Sequence, residues 1–219
     1  MLLKRLLLDT LQWLLANALV LFAVKDMSAF LSDRKGATLL IVLNILWLVP
    51  VVGNLYVPRE KIRASAKEYC YYLWMAVLLV EVIACAYEYT HFRFEGKITS
   101  YEVVSGLTLI CLGFLVSLVG WLSIRRYSAP EFQIIEGHKV IDEGLYRYIR
   151  HPIYTGFFLI ASGLPLFLRS ISGLLALILI VTPAWMYVIG QEEKFLVSEL
   201  GDDYVAYMGK TKRLIPFVY

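Results

Sequence analysis

The sequence predicts an all-α protein, a polytopic bundle of transmembrane helices, and three observations carry that prediction. Of 219 residues, 59% are hydrophobic and only 18% are charged, whereas soluble domains run at about 45–50% apolar and about 25% charged. Mean hydropathy is +0.67. The apolar residues fall in continuous runs of roughly twenty, the length a helix needs to cross about 30 Å of hydrocarbon at about 1.5 Å per residue. A β-barrel would show alternating segments of about ten residues instead. The chain reads as one integral membrane domain, 1–219, with N-terminal helices over 1–124 and a more polar C-terminal region over 125–219.

The first apolar segment, 6–24, follows Lys4 and Arg5, and its Ala16-Asn17-Ala18 looks like a signal-peptide cleavage site. Asp9 and Gln12 interrupt the run, however, and it continues past Ala18, so a retained membrane helix is expected. Segments 37–57, 71–90 and 101–123 follow at spanning length. In the last of these, Gly106, Gly113 and Gly120 recur at a spacing of seven, which lines them along one helix face and lets a neighbouring helix approach closely. Segments 153–168 and 171–189 are separated only by Arg169 and Ser170, with Pro165 just before. They form a tight hairpin whose shorter first arm is tilted or falls short of a full span.

Basic residues orient the bundle. Lys4, Arg5, Arg59, Lys61, Arg63, Lys67, Arg125, Arg126, Lys139, Arg147, Arg150, Lys194, Lys210, Lys212 and Arg213 fall on one side of the alternating loops. Lys25, Arg34, Lys35, Arg93, Lys97 and Arg169 fall on the other. The positive-inside rule therefore places both termini in the cytoplasm. The stretch 125–152 then shares a compartment with 190–219, and the two meet at the mouth of the hairpin. A net charge of +3 spread over loops gives no reason to expect a nucleic-acid partner. Cys70, Cys85 and Cys111 lie in or beside apolar runs with no CxxC spacing, as small hydrophobes do, and no metal is expected.

Ionisable residues within membrane helices are costly and mark function by default. Glu81, near the middle of the third segment, is thus a candidate, with a protonated or paired packing role as the other reading. The densest polar cluster is 144–156, Gly-Leu-Tyr-Arg-Tyr-Ile-Arg-His-Pro-Ile-Tyr-Thr-Gly. Pro152 suits the first turn of a helix, and His151 falls at the preceding cap position. The free backbone N–H groups and positive dipole end there would receive a carboxylate or ribose oxygen, flanked by Arg147 and Arg150. Tyr146 and Tyr154 offer ring faces to an aromatic group or a sulfonium, and Gly156 would let a ligand approach the backbone. An interfacial belt of aromatic and basic anchors accounts for the same residues, and both readings stand at this point. Gln191-Glu192-Glu193 is expected at a helix C-terminus, where acidic groups oppose the dipole. They then need a partner, either the arginines of 147–150 or a cationic ligand.

Residues 133–219 resemble the isoprenylcysteine carboxyl methyltransferase family and its relatives among the membrane phospholipid methyltransferases. The match runs through Gln133, His138-Lys139-Val140-Ile141, Gly144, Tyr146, Arg150-His151-Pro152-Ile153-Tyr154 and Gly156. It continues through Glu192-Glu193, Gly201, Tyr204, Tyr207, Arg213 and Pro216. The resemblance implies S-adenosylmethionine as cofactor, entering from the cytosol and enclosed by the loop before the hairpin and by the C-terminal tail. It implies that Gln133, His138, Lys139, Val140 and Ile141 hold the cofactor largely through backbone contacts. Tyr146, His151, Pro152, Ile153 and Tyr154 would line its pocket, and Glu192 would meet its α-amino group or ribose hydroxyls. A lipophilic acceptor would arrive from the bilayer through a gap between helices. No catalytic residue is fixed by the resemblance; Arg150, Glu193 and Glu81 are the candidates.

One position departs from the family pattern. Carboxyl methyltransferases carry an arginine, associated with the acceptor carboxylate, one helical turn before the first glutamate. Val188 stands there in this chain, and an aliphatic side chain cannot pair with a carboxylate. The acceptor is expected to be isoprenylcysteine-like, a phospholipid amine, or a small lipophilic thiol or acid. An NADPH-dependent membrane reductase is a second reading, though its 2′-phosphate would favour a richer basic cluster. A transporter or scaffold is a third, and it asks for polar residues threaded through several helices, of which Asn17, Asn44 and Glu81 are the examples.

Overall fold

The computed structural model describes residues 2–56, 62–65, 68–92, 100–124, 133–135 and 139–215. Helices α1 (Leu2–Ala23), α2 (Met27–Ser32), α3 (Arg34–Tyr56), α4 (Glu68–His91) and α5 (Ser100–Ile124) come first. Then follow α6 (Pro152–Leu168), α7 (Ile171–Ala176), α8 (Thr182–Leu200) and α9 (Asp202–Lys210), with a π-helical turn, Leu177–Val181, joining α7 to α8. Among the described residues, three helices are long and apolar enough to cross a membrane: Tyr72–His91, Tyr101–Ile124 and Ile171–Leu200. Thr10–Ala23 and Pro152–Leu168 are shorter apolar helices.

Two features depart from the sequence expectation. Short strands β1 (Ile62–Ser65) and β2 (Gln133–Ile135) pair antiparallel, with Ser65 opposite Gln133 and Ile62 opposite Ile135. Strands this short in loops leave no period-two run to read, so a purely helical expectation misses the ribbon. In addition, the last long helix does not stop at Glu192-Glu193. It continues to Leu200 and breaks at Gly201, whose φ of +59° suits glycine. The two glutamates therefore sit within the helix, and the dipole argument for their needing a partner does not apply.

The hairpin at Arg169-Ser170 is held from α4. The carboxylate of Glu88 accepts hydrogen bonds from the Ser170 hydroxyl (2.8 Å) and from the backbone N–H groups of Ile171 (3.2 Å) and Ser172 (2.6 Å). A negative charge there also complements the start of α7. Arg169 ends α6 in the left-handed region and pairs with Glu102 of α5 at 3.1 Å. The Nζ of Lys35 donates to the Phe167 carbonyl at 3.0 Å. Beside it, Asp33 accepts from the Tyr89 hydroxyl (2.7 Å) and from the N–H groups of Lys35 and Gly36. Burial alone would raise the Asp33 pKa, but these donors hold it below the ordinary carboxylate range.

Helix α6 lies against α5 at backbone distance. A Cβ on Gly113 would meet the Gly156 carbonyl and Ile160, and one on Gly163 would meet the Gly106 carbonyl. The spacing-seven glycines thus serve packing, as expected. Gly156 does not open the backbone to a ligand, because a Cβ there would collide with Ser117 and with the Gly113 carbonyl. On the other side of α6, Trp74 of α4 packs edge-on to Phe157 (4.6 Å between ring centroids) and stacks on Trp185 of α8 at 5.8 Å. Between α1 and α3, Asn44 accepts from the Trp13 indole and donates to Asn17. These asparagines satisfy one another as packing glue.

Candidate functional site

Gly144, with φ of +59°, opens a 3-10 turn over Gly144–Arg147 that buries Tyr146. Pro152 then starts α6 with His151 as its cap residue, and the histidine side chain makes no capping bond. The ring turns instead toward α8, where Nε2 lies 3.2 Å from Oε1 of buried Glu193. Arg150 donates through Nε to the same oxygen at 2.8 Å, and Arg213 donates to Oε2. One buried carboxylate thus gathers two arginines and a histidine.

The chain after α9 is bound to this centre along its length. The Nη1 of Arg150 donates to the carbonyls of Met208 (3.2 Å) and Thr211 (2.6 Å). The backbone N–H groups of Arg150 and His151 donate to the Lys212 and Arg213 carbonyls, and Lys212 returns a bond to Tyr148. The Thr155 hydroxyl donates to the Leu214 carbonyl and the Tyr207 hydroxyl to the Tyr146 carbonyl. Residues 207–214 therefore form a strap across the mouth of the hairpin. Arg150 and Glu193, candidates for catalysis from sequence, are spent on each other and on this strap.

Glu192 is differently placed. It accepts a hydrogen bond from the Tyr154 hydroxyl. Its Oε2 is buried with no hydrogen-bond partner among the described residues, the Nδ1 of His151 standing 3.8 Å away. The phenols of Tyr146 and Tyr204 also feel its charge: burial first, and Glu192 next, hold their pKa values above the ordinary one. Tyr154 meets the His151 ring edge-on at 5.7 Å. A carboxylate with an unused oxygen, set among three tyrosines and a histidine, favours a cation in contact with hydrogen-bond donors.

The other sequence candidates are spread around this centre. Gln133 lies in the ribbon, paired with Ser65, and His138 lies outside the described residues. Lys139 is exposed and Val140 and Ile141 are half-buried, on the irregular approach to the 3-10 turn. Pro152 is buried, and Ile153 packs toward Gly120 of α5 while its carbonyl accepts from Ser117. Arg147 is exposed and lines a 610 Å³ groove with Asp142, Glu143, Gly144, Tyr207, Lys210 and Thr211. Val188 is fully buried. Glu81 is far along α4 and does not join the cluster. The expected meeting of the C-terminal tail with the 125–152 stretch is seen in the bonds of 211–214 to Tyr148, Arg150, His151 and Thr155, whereas the pairing of Arg213 with Glu193 was not foreseen. No group of three His, Cys, Asp or Glu suited to a metal occurs among the described residues.

Fold and site together define a helical membrane protein with a carboxylate-and-tyrosine cluster beside the hairpin mouth, across which its own chain is bonded. A family model for phospholipid methyltransferases matches residues 101–203. The protein-S-isoprenylcysteine O-methyltransferase of Schizosaccharomyces pombe is 36% identical over 81 residues, covering 37% of this chain and 34% of that enzyme. The Arabidopsis thaliana protein-S-isoprenylcysteine O-methyltransferase B is 28% identical over 68% of this chain and 74% of its own length. A probable protein-S-isoprenylcysteine O-methyltransferase of Oryza sativa subsp. indica is 25% identical over 94% of this chain and 96% of its own. The chain is thus similar to membrane phospholipid methyltransferases over 101–203 and, at 25–36% identity, to protein-S-isoprenylcysteine O-methyltransferases.

Proposed function

We propose that this protein transfers a methyl group from S-adenosylmethionine to a lipophilic acceptor, an isoprenylcysteine-like carboxylate being the first choice. The observation that carries the reading is Glu192, whose buried Oε2 has no hydrogen-bond partner among the described residues and whose surroundings are Tyr154, Tyr146, Tyr204 and His151. That environment fits the cofactor's ammonium, ribose hydroxyls and sulfonium. Bound there, the cofactor supplies an electrophilic methyl group. Glu192 and Tyr154 would orient it, and His151, Pro152 and Ile153 would line the wall. Gln133, His138, Lys139, Val140 and Ile141 are proposed, on family resemblance, to close the approach from the loop. The strap would exclude water, which methyl transfer to a nucleophile requires more than it requires a general base.

We further propose a multi-pass arrangement with both termini in the cytoplasm, supported by the asymmetry of basic residues. The pairing of Ile62–Ser65 with Gln133–Ile135 also supports it, since those two loops then share one side. A phospholipid amine is the second acceptor reading, favoured by the neutral Val188 and by the family model that matches. Calorimetric binding of S-adenosylhomocysteine to detergent-purified protein tests the cofactor reading. Binding in the micromolar range is expected. Absence of binding together with uptake of NADPH would replace the methyltransferase reading with a reductase.

A further inference from the structure

The inward stripe of α4 carries Trp74, Glu81 and Glu88, seven residues apart and so about 10 Å from one to the next. Glu88, at the hairpin turn, is fully engaged by Ser170, Ile171 and Ser172. The other two are not. Both oxygens of Glu81, which is 0% exposed, and the indole nitrogen of Trp74, 8% exposed, are buried without a hydrogen-bond partner among the described residues. Burying a polar group unpaired costs about 1–3 kcal/mol. Two such groups therefore lie on one stripe of a single helix, where each calls for an explanation.

The position of Trp74 gives its unpaired N–H a use. Its ring stands 6.3 Å from that of Tyr154, edge-on, and stacks on Trp185. Its carbonyl accepts from the Trp185 indole at 3.2 Å. Tyr154 in turn bonds Glu192. Val188, one helical turn beyond Trp185 on α8 and equally buried, offers no donor. Trp74 thus sits beside Tyr154, which bonds Glu192, where α4, α6 and α8 converge, and brings there an indole N–H with no hydrogen-bond partner among the described residues.

We propose that Trp74 recognises the acceptor, its indole N–H donating to an anionic oxygen beside the reacting group, with the acceptor's hydrocarbon lying along the α4 stripe. This rests on the methyltransferase reading and deepens it: Trp74 supplies at the acceptor side the donor that Val188 lacks. Two acceptor classes carry such an oxygen, a prenylcysteine through its carboxylate and a phospholipid through its phosphodiester.

The test is equilibrium binding to the full chain in detergent with S-adenosylhomocysteine present, using N-acetyl-S-farnesylcysteine and phosphatidylethanolamine as separate probes. Two variants are compared with the parent: Trp74→Phe, and replacement of the Trp74 indole by its benzothiophene isostere, which keeps the ring and lacks the N–H. A loss of tenfold or more in affinity for one probe, with S-adenosylhomocysteine affinity unchanged, is expected, and the probe affected identifies the oxygen. Unchanged probe affinity in the isostere variant overturns the proposal even if Trp74→Phe fails to fold. So does failure of both probes to bind a protein that binds S-adenosylhomocysteine, an outcome that leaves the cofactor reading intact. Failure to bind S-adenosylhomocysteine at all removes the methyltransferase reading itself.

Discussion

The guanidinium Nε of Arg150 lies 2.8 Å from Oε1 of Glu193, joining the residue pair before α6 to the middle of α8 through a buried ion pair. Arg213 closes on the other oxygen of the same carboxylate. Removing the glutamate leaves two arginines facing one another without a counter-charge, and breaking a buried pair in this way costs about 3–5 kcal/mol. Glu193→Ala should therefore lower the thermal midpoint and expose 207–214 to limited proteolysis. Glu193→Gln, which keeps an acceptor, should do so less. A protease-resistant strap in Glu193→Ala would show that its backbone bonds suffice.

Glu192 should behave in the opposite way. Its Oε2 accepts no hydrogen bond among the described residues, so Glu192→Gln should leave the thermal midpoint nearly unchanged. The same variant should weaken S-adenosylhomocysteine binding by at least tenfold, or about 1.4 kcal/mol. Calorimetry and thermal unfolding on one preparation give both numbers. Parent-like affinity would place the pocket elsewhere.

Much of this was legible before any coordinates. The apolar runs, the hairpin at Arg169-Ser170 and the meeting of the Arg150-His151 cluster with the glutamate pair follow from hydropathy, loop length and side of the membrane. The division of labour between the glutamates did not follow. Glu192 and Glu193 are adjacent and alike in type, and only the helical rotation between them sends one to the arginines and the other to the tyrosines. Gly156 was misread for a related reason. Its place next to the cluster suggested a ligand, while its face points to the glycines of α5.

That glycine yields a sharp comparison. Gly156→Ala sets a methyl group against the Ser117 side chain and the Gly113 carbonyl, and overpacking of this kind costs about 1–3 kcal/mol. Gly190→Ala meets nothing within 4 Å, and in mid-helix it should stabilise by about 0.5–1 kcal/mol. Thermal unfolding should move in opposite directions for the two. A neutral Gly156→Ala would mean that α5 and α6 are further apart than described.

Glu81 predicts a gain. Replacing a buried carboxyl that has no hydrogen-bond partner among the described residues with a similar-sized apolar group removes a desolvation cost of about 1–3 kcal/mol. Glu81→Leu should accordingly raise the thermal midpoint. A lower midpoint would show that the carboxyl has a partner in the membrane-embedded protein.

Asp33 gives the pH dependence. Its pKa is held below the ordinary 3.8 in the folded chain, so its hydrogen bonds add stability that is complete above that value. The contribution is lost as pH falls through the lower, folded value. The stability difference between the parent and Asp33→Asn should thus be constant from neutral pH down to about pH 4–5 and shrink below it. Midpoints measured across that range check the sign, and a difference that grows on acidification would contradict it.

The glycine contact between α5 and α6 has one more consequence. Where backbone lies on backbone there is no side chain to rotate aside, so that flank of α6 is a weld. Its other flank meets α4 and α8 through Trp74, Phe157 and Trp185, and near the same level the hydroxyls of Tyr69 and Tyr187 touch at 3.0 Å across the α4–α8 seam. Side-chain contacts, with the bond from the Trp185 indole to the Trp74 carbonyl among them, are what would yield there. The molecule thus has a stiff side and a compliant side, and a guest from the bilayer would find its way in along the compliant one.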